Sequence, residues 1–139
     1  MSILHQASCV AIGARGVLIE GPPGSGKSSL ALALIDRGAV LVGDDGVTLD
    51  PCGDRIHASP APQIARLIEV RNVGLLTYPT VSAVPVALVL RLDPAAPRFI
   101  DSAECAHLAG VPVPLVRLWP DSPVLALRAE AALLRWGLA

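Results

Sequence analysis

The run Gly21–Ser29, GPPGSGKSS, constrains this chain more than any other feature. It fits the spacing Gly, four residues, Gly-Lys-Ser. The apolar stretch Val17–Glu20 precedes it, and an apolar-rich segment, Lys27–Arg37, follows. That order reads as strand, glycine-rich loop, helix. Glycines admit dihedrals that other residues avoid, so the loop's N–H groups can close around phosphate oxygens. The N-terminus of the following helix adds a dipole that favours anions. Lys27 is expected to reach the outer phosphates and Ser28 to ligate Mg²⁺. The phosphate-binding candidates are Gly21, Pro22, Pro23, Gly24, Ser25, Gly26, Lys27, Ser28 and Ser29. The plain alternative is a glycine-rich turn with a surface lysine. From average residue usage, a chance match in so short a chain is rare.

The rest of the pattern is mostly strand. Ser8–Ile12 and Val17–Glu20 flank Gly13-Ala14-Arg15-Gly16, a hairpin connection. Gly38 is placed to end the first helix. Ala39–Val42 is a short apolar strand ending at Gly43-Asp44-Asp45. Val47–Leu49 and Arg55–Ala58 flank a turn at Asp50–Asp54, and Ser59–Pro62 reads as a loop. Leu67–Arg71, Val84–Leu92 and Val113–Leu118 are further strands. A second helix is signalled near the end, with Ser122 as cap, Pro123 at its first position and Gly137 as its stop. Two helices among seven or eight strands imply an α/β fold with a mixed, twisted sheet and few helices, rather than a doubly wound parallel one.

The 139 residues suit one domain, residues 1–139. The apolar fraction is 53%, yet no apolar run reaches the ~18–20 residues of a membrane span. No basic-then-apolar leader opens the sequence, so a cytoplasmic location is expected. A net charge of −1 gives no electrostatic basis for nucleic-acid binding. Cys9, Cys52 and Cys105 lack metal-ligand spacing and read as reduced thiols.

Phosphoryl transfer also needs carboxylates. Asp44 and Asp45 follow the strand after the first helix. Neighbours in an extended chain point to opposite sides, so at most one aims at the phosphate. Gly-Asp-Asp-Gly is equally good turn composition. Asp93, at the end of VALVLRL, reads as a metal ligand or as the start of a turn. In LIEVRN, Glu69 and Arg71 share one face of a strand, suited to metal and phosphate or to a surface ion pair. His5 is a lone histidine, a surface group or a site group.

Together these segments resemble the catalytic domain of HPr kinase/phosphorylase, which acts on a serine of the phosphocarrier HPr. The resemblance rests on GVLIEGPPGSGKSSLALALIDRGAVLVGDD and on LIEVRNVGLL, in that order. It implies a P-loop kinase domain of the short, single-domain form, using ATP and Mg²⁺. It implies HPr as partner, a role in the phosphotransferase system or carbon regulation, and a homo-oligomer by analogy with longer members. By similarity Asp45 takes the proton of the attacking serine, while Glu69 joins Ser28, with Asp44, around the metal. Lys27, His5 and Arg98 match further catalytic positions. Two departures stand out. Asn72 replaces the family's usual glycine. LWPDSPVLAL stands where longer members have an Arg-rich segment tied to dephosphorylation, so kinase activity is better equipped than phosphorylase activity. The rivals are a small-molecule P-loop kinase and a non-enzymatic nucleotide-binding regulatory module.

Overall fold

The hairpin that leads into the glycine-rich run pairs β2 (Ser8–Ile12) with β3 (Arg15–Glu20). Ile12 faces Arg15, so Gly13-Ala14 alone makes the turn. Gly13 has φ 61°, as tight two-residue hairpins require. The hairpin is therefore tighter, and β3 two residues longer, than the sequence suggests. The structure is a computed structural model and describes residues 2–62 and 66–139.

Helix α1 (Lys27–Asp36) buries Leu30, Ala31 and Leu34. It ends as its glycine implies. Gly38 adopts φ 108°, its N–H bonds the Ile35 carbonyl at 3.0 Å, and the Ala39 N–H bonds that of Leu34 at 3.0 Å. This double bond pattern closes the helix and turns the chain into β4 (Val40–Gly43). The next strands are β5 (Val47–Cys52) and β6 (Arg55–Pro60). Their pairing runs on through Asp50, Pro51 and Cys52, so the expected five-residue turn shrinks to Gly53-Asp54. β1 (Ile3–His5) covers only Val47–Leu49 of β5, which leaves Pro51 on an open edge where strands tolerate proline. Ser59 and Pro60, expected in a loop, instead pair with Thr48 and Val47.

The remaining elements are β7 (Leu67–Val70), β8 (Gly74–Thr77), β9 (Val84–Leu92), β10 (Glu104–Leu108), β11 (Val111–Leu118) and α2 (Leu125–Trp136). Helix α2 starts two residues after Pro123. The Ser122 hydroxyl accepts the Val124 N–H at 3.2 Å, and the Leu125 N–H bonds the Ser122 carbonyl. That tight turn occupies the position expected for the helix start.

The main sheet runs β1-β5-β6-β9-β3-β2-β4, with β11 beside the second half of β9 and β10 outside it. β9 is parallel to both β3 and β11, while the other named pairs are antiparallel. The mixed sheet with two helices is the architecture the sequence implies. β9 is buried through Val86–Leu90, as an unbroken apolar strand covered on both faces should be. One face packs Val17, Ile19, Leu88 and Leu90 beneath Leu34, Ala129 and Leu133 of the helices. The other packs Leu18, Val86 and Val89 against Val47, Leu49, Ile56 and Val113 of the same sheet. Strands from both ends of the sheet share this second core, so the sheet curls over itself. β7 and β8 form a separate antiparallel pair.

All three cysteines are free. Burial pushes the Cys9 thiol up to about 12, against a smaller opposing effect of a backbone hydrogen bond from Val17. Cys52 and Cys105 are exposed. At neutral pH a chromogenic disulfide reagent should therefore titrate Cys52 and Cys105 in the native protein and Cys9 only after denaturation. Fast reaction of Cys9 in the native state would contradict this packing.

Candidate active site

The glycine-rich run lies between the end of β3 and the start of α1. The Ser25 N–H bonds the Pro22 carbonyl at 3.1 Å, and the Leu30 N–H bonds that of Gly26 at 2.9 Å. Gly24 and Gly26 hold φ values of 79° and 102°, a region costly for other residues. Gly21 is needed for a different reason: a Cβ there would stand 2.5 Å from the Ser25 hydroxyl. Lys27 folds over the loop, its ammonium donating to the carbonyls of Gly21 at 2.8 Å and Pro22 at 3.3 Å.

This loop forms one wall of a cavity of about 400 Å³. Lys27, Ser28, Ser29, Asp44, Asp45, Glu69 and Arg71 line it, with Leu67 and Leu75. Four separate segments of chain therefore converge, as the motifs require. Asp44 ties two of the others, and β2 behind them, to its own segment. Its Oδ1 accepts the hydroxyls of Ser8 at 2.7 Å and Ser28 at 2.6 Å, and its Oδ2 accepts the Glu69 N–H at 3.1 Å. Asp44 is buried and Asp45 exposed. Asp45 takes the left-handed conformation, φ 60°, which turns the chain between them. Both residues line the cavity, Asp44 tied down by hydrogen bonds and Asp45 exposed.

Ser8 is fully buried at the head of β2 and is the member of this junction that the sequence hides. A serine at a strand start looks like a boundary residue, and its partner lies 36 positions away. Glu69 and Arg71 are exposed cavity-lining residues and make no ion pair among the described residues. Asn72 adopts φ 71°, so it holds the left-handed turn that glycine would otherwise serve.

Two further expected site residues line other depressions. His5 faces a neighbouring depression on the other side of Gly21 and Pro22. Its Nε2 donates to Glu20 at 2.8 Å, and Glu20 also takes the Arg91 guanidinium at 2.7 Å. The His5 hydrogen bond, then Arg91, holds the Glu20 carboxyl below the usual carboxylate range despite its partial burial. Arg98 lies in a third depression with Arg117, Trp119 and Arg128. Asp93 is a turn residue: its Oδ1 accepts the Ala95 N–H, and its Oδ2 pairs with Arg117.

The segment holding the loop, the aspartate pair and the β7–β8 hairpin matches a known protein family. Residues 2–83 fit the model of the HPr Serine kinase C-terminal domain. The chain belongs to that family. The HPr kinase/phosphorylase of Cupriavidus necator is 36% identical over 115 residues, covering 74% of this chain and 36% of that protein. That of Caldicellulosiruptor bescii is 40% identical over 75 residues, covering 53% of this chain and 24% of its own length. The chain thus spans about a quarter to a third of these curated relatives. The solved Hpr(Ser) kinase/phosphatase of Coxiella burnetii superposes with a TM-score of 0.83 at 26% identity, covering 95% of this chain and 94% of that one. The HPr kinase catalytic-domain fold therefore extends through β9–β11 and α2, beyond the segment matched by the family model.

The donor set fits a magnesium ion. Among the described residues no cluster of three or more His, Cys, Asp or Glu could cage a metal. Magnesium needs no such cage, since it keeps waters and takes phosphate oxygens beside one or two protein ligands. Ser28 spends its only proton on Asp44, which leaves its oxygen lone pairs for a cation.

Removing the junction should be costly. Asp44→Ala leaves Ser8, Ser28 and the Glu69 N–H without their acceptor; the buried Ser8 hydroxyl so orphaned costs about 1–3 kcal/mol, and the two part-buried donors add less each. Urea unfolding should show a loss of roughly 3 kcal/mol or more for Asp44→Ala and about 1 kcal/mol for Ser8→Ala. A loss no larger than that of an ordinary surface change would refute the junction. A second expectation concerns acid. Glu20 has a depressed folded pKa, so its contribution is present above its unfolded value of about 4.3 and is lost as pH falls through the lower folded value. Glu20→Gln should therefore flatten the acid limb of Tm against pH, and parallel profiles would count against this triad.

Proposed function

We propose that this domain is an ATP- and Mg²⁺-dependent protein-serine kinase that phosphorylates HPr in the cytoplasm, within the phosphotransferase system. The observation that supports it best is the Asp44 junction. One carboxylate ties the P-loop serine to the strand bearing Glu69, so the phosphate cradle and a second acidic group face one cavity.

The P-loop N–H groups and Lys27 hold the β- and γ-phosphates and spread their charge. Ser28 and Glu69 would hold Mg²⁺, which would supply charge neutralisation at the phosphates, with Asp44 orienting Ser28 from behind. Asp45 is the base. Asp44 is less suited to that role, because it is buried and its oxygens already accept three donors. Asp45 is exposed to the cavity and receives the proton of the HPr serine hydroxyl as that oxygen bonds to the γ-phosphorus. The bond from the γ-phosphorus to the bridging oxygen breaks, and ADP leaves. Most of the acceleration comes from positioning and preset charge.

His5 supports this site at one remove. Its bond to Glu20 braces the last residue of β3, beside the first glycine of the loop. Arg98 plays no part in the proposed step. The forward direction is the one proposed: Pro120–Pro123 supply no arginine, and nearby Arg117 is committed to Glu104 and Asp93.

The test is transfer of label from γ-labelled ATP to HPr in the presence of Mg²⁺. Lys27→Ala should abolish it. Asp45→Asn should bind ATP normally and lose roughly 100-fold or more in turnover, as expected for a missing general base. Full turnover by Asp45→Asn would displace the base assignment, and wild-type protein that binds ATP but labels no serine of HPr would overturn the kinase reading.

A further inference from the structure

The β7–β8 hairpin has two unlike faces. Directly opposed residues of an antiparallel pair share a face. Ile68 is fully buried and Val70 packs against the main core. Glu69 and its cross-strand partner Leu75 face the other way, toward the cavity, as does Leu67. On that side Leu75 stands open beside Glu69 and Arg71, and Val73 is exposed in the adjoining turn: Leu75 and Val73 are each 67% exposed. Single exposed apolar residues are ordinary. These two stand together on a turn and the strand it feeds. Leu75 also borders a cavity whose other walls carry Lys27, Ser28, Asp44 and Asp45. Neither phosphate nor metal chemistry uses a leucine.

The hairpin's place along the phosphate chain says what it meets. Ser28 and Glu69 are the residues that would hold the metal, and so would lie at the outer-phosphate end. Leu75 stands directly opposite Glu69 in the hairpin register, so it belongs to that end and not to the end where the nucleotide's adenine would lie. The group that must arrive beside the γ-phosphate is the acceptor. Among the described residues, β8 also pairs on one side only, which leaves a strand edge able to receive an extended segment.

We propose that Leu75 and Val73 form the acceptor-docking surface of this enzyme, gripping apolar side chains that flank the phosphorylated serine of the protein substrate. This rests on the kinase reading above. The hairpin would then serve both ligands at once, with Glu69 turned to the metal and Leu75, opposite it on β8, to the acceptor, and Asp44 holding the β7 strand in place.

The test compares wild type with Leu75→Ser, Val73→Ser and Leu75→Met, using HPr as acceptor and varying HPr and ATP separately. Both side chains are exposed, so the Tm should be unchanged. The serine variants should raise the KM for HPr by roughly tenfold, the usual scale for losing an apolar contact in a substrate site, with the KM for ATP unaltered. Leu75→Met should restore most of it. An unchanged KM for HPr in variants that still transfer phosphate would overturn the docking surface alone. A raised KM for ATP with that for HPr unchanged would give the wall to the nucleotide and also overturn it. Wild-type protein that fails to label HPr would overturn the kinase reading, and this inference with it.

Discussion

Asp44 is the constraint on which the rest of the site depends. A buried carboxylate is tolerated only when hydrogen bonds replace the water it gives up. Here three donors do so, and each comes from a different element: Ser8 from β2, Ser28 from α1 and the Glu69 N–H from β7. Satisfying that one charge therefore fixes the helix start against the hairpin sheet and fixes a small separate hairpin against both. The geometry also divides labour within the Asp44-Asp45 pair. The buried member becomes structural because donors from three elements hold it. The exposed member keeps its lone pairs free for chemistry.

The supports around the glycine-rich loop hold a strained backbone in place. Glycines at positions 24 and 26 give the loop its left-handed turns, and Gly21 makes room for Ser25. Beneath the loop, Glu20 accepts both His5 and Arg91, which tethers the end of β3 to β1 and β9. The parallel pairs β3–β9 and β9–β11 bring their C-terminal ends to one edge, where open α/β sheets place ligands.

Much of this was legible in the sequence, for identifiable reasons. The P-loop, the apolar run of β9 and the Gly38 stop each depend on local chemistry, and local chemistry is what a sequence displays. The strands it concealed are short or polar. β1 has three residues, β8 is wholly exposed, and β10 carries Glu104 and His107 on an outer edge, so none shows an alternating apolar face. Ser59 and Pro60 look like loop composition and are strand because β5 offers them partners. The site divides similarly. Lys27, Ser28, Asp45 and Glu69 converge as their motifs imply. Ser8 could not be found, because its meaning lies in a contact made 36 residues away. Family likeness placed His5 and Arg98 in the site, while the fold sets each facing a different depression.

The central claim is that Ser28 and Glu69, held together through Asp44, form one metal-assisted phosphoryl-transfer centre with the loop Gly21–Ser28. The most direct measurement is a crystal structure with a non-hydrolysable ATP analogue and Mn²⁺ replacing Mg²⁺, read by its anomalous signal. The account predicts a metal peak within coordination distance of the Ser28 hydroxyl and the Glu69 carboxylate, directly or through one water, with the γ-phosphate facing Asp45. A metal bound away from both residues, or a phosphate chain lying outside the loop, would contradict it.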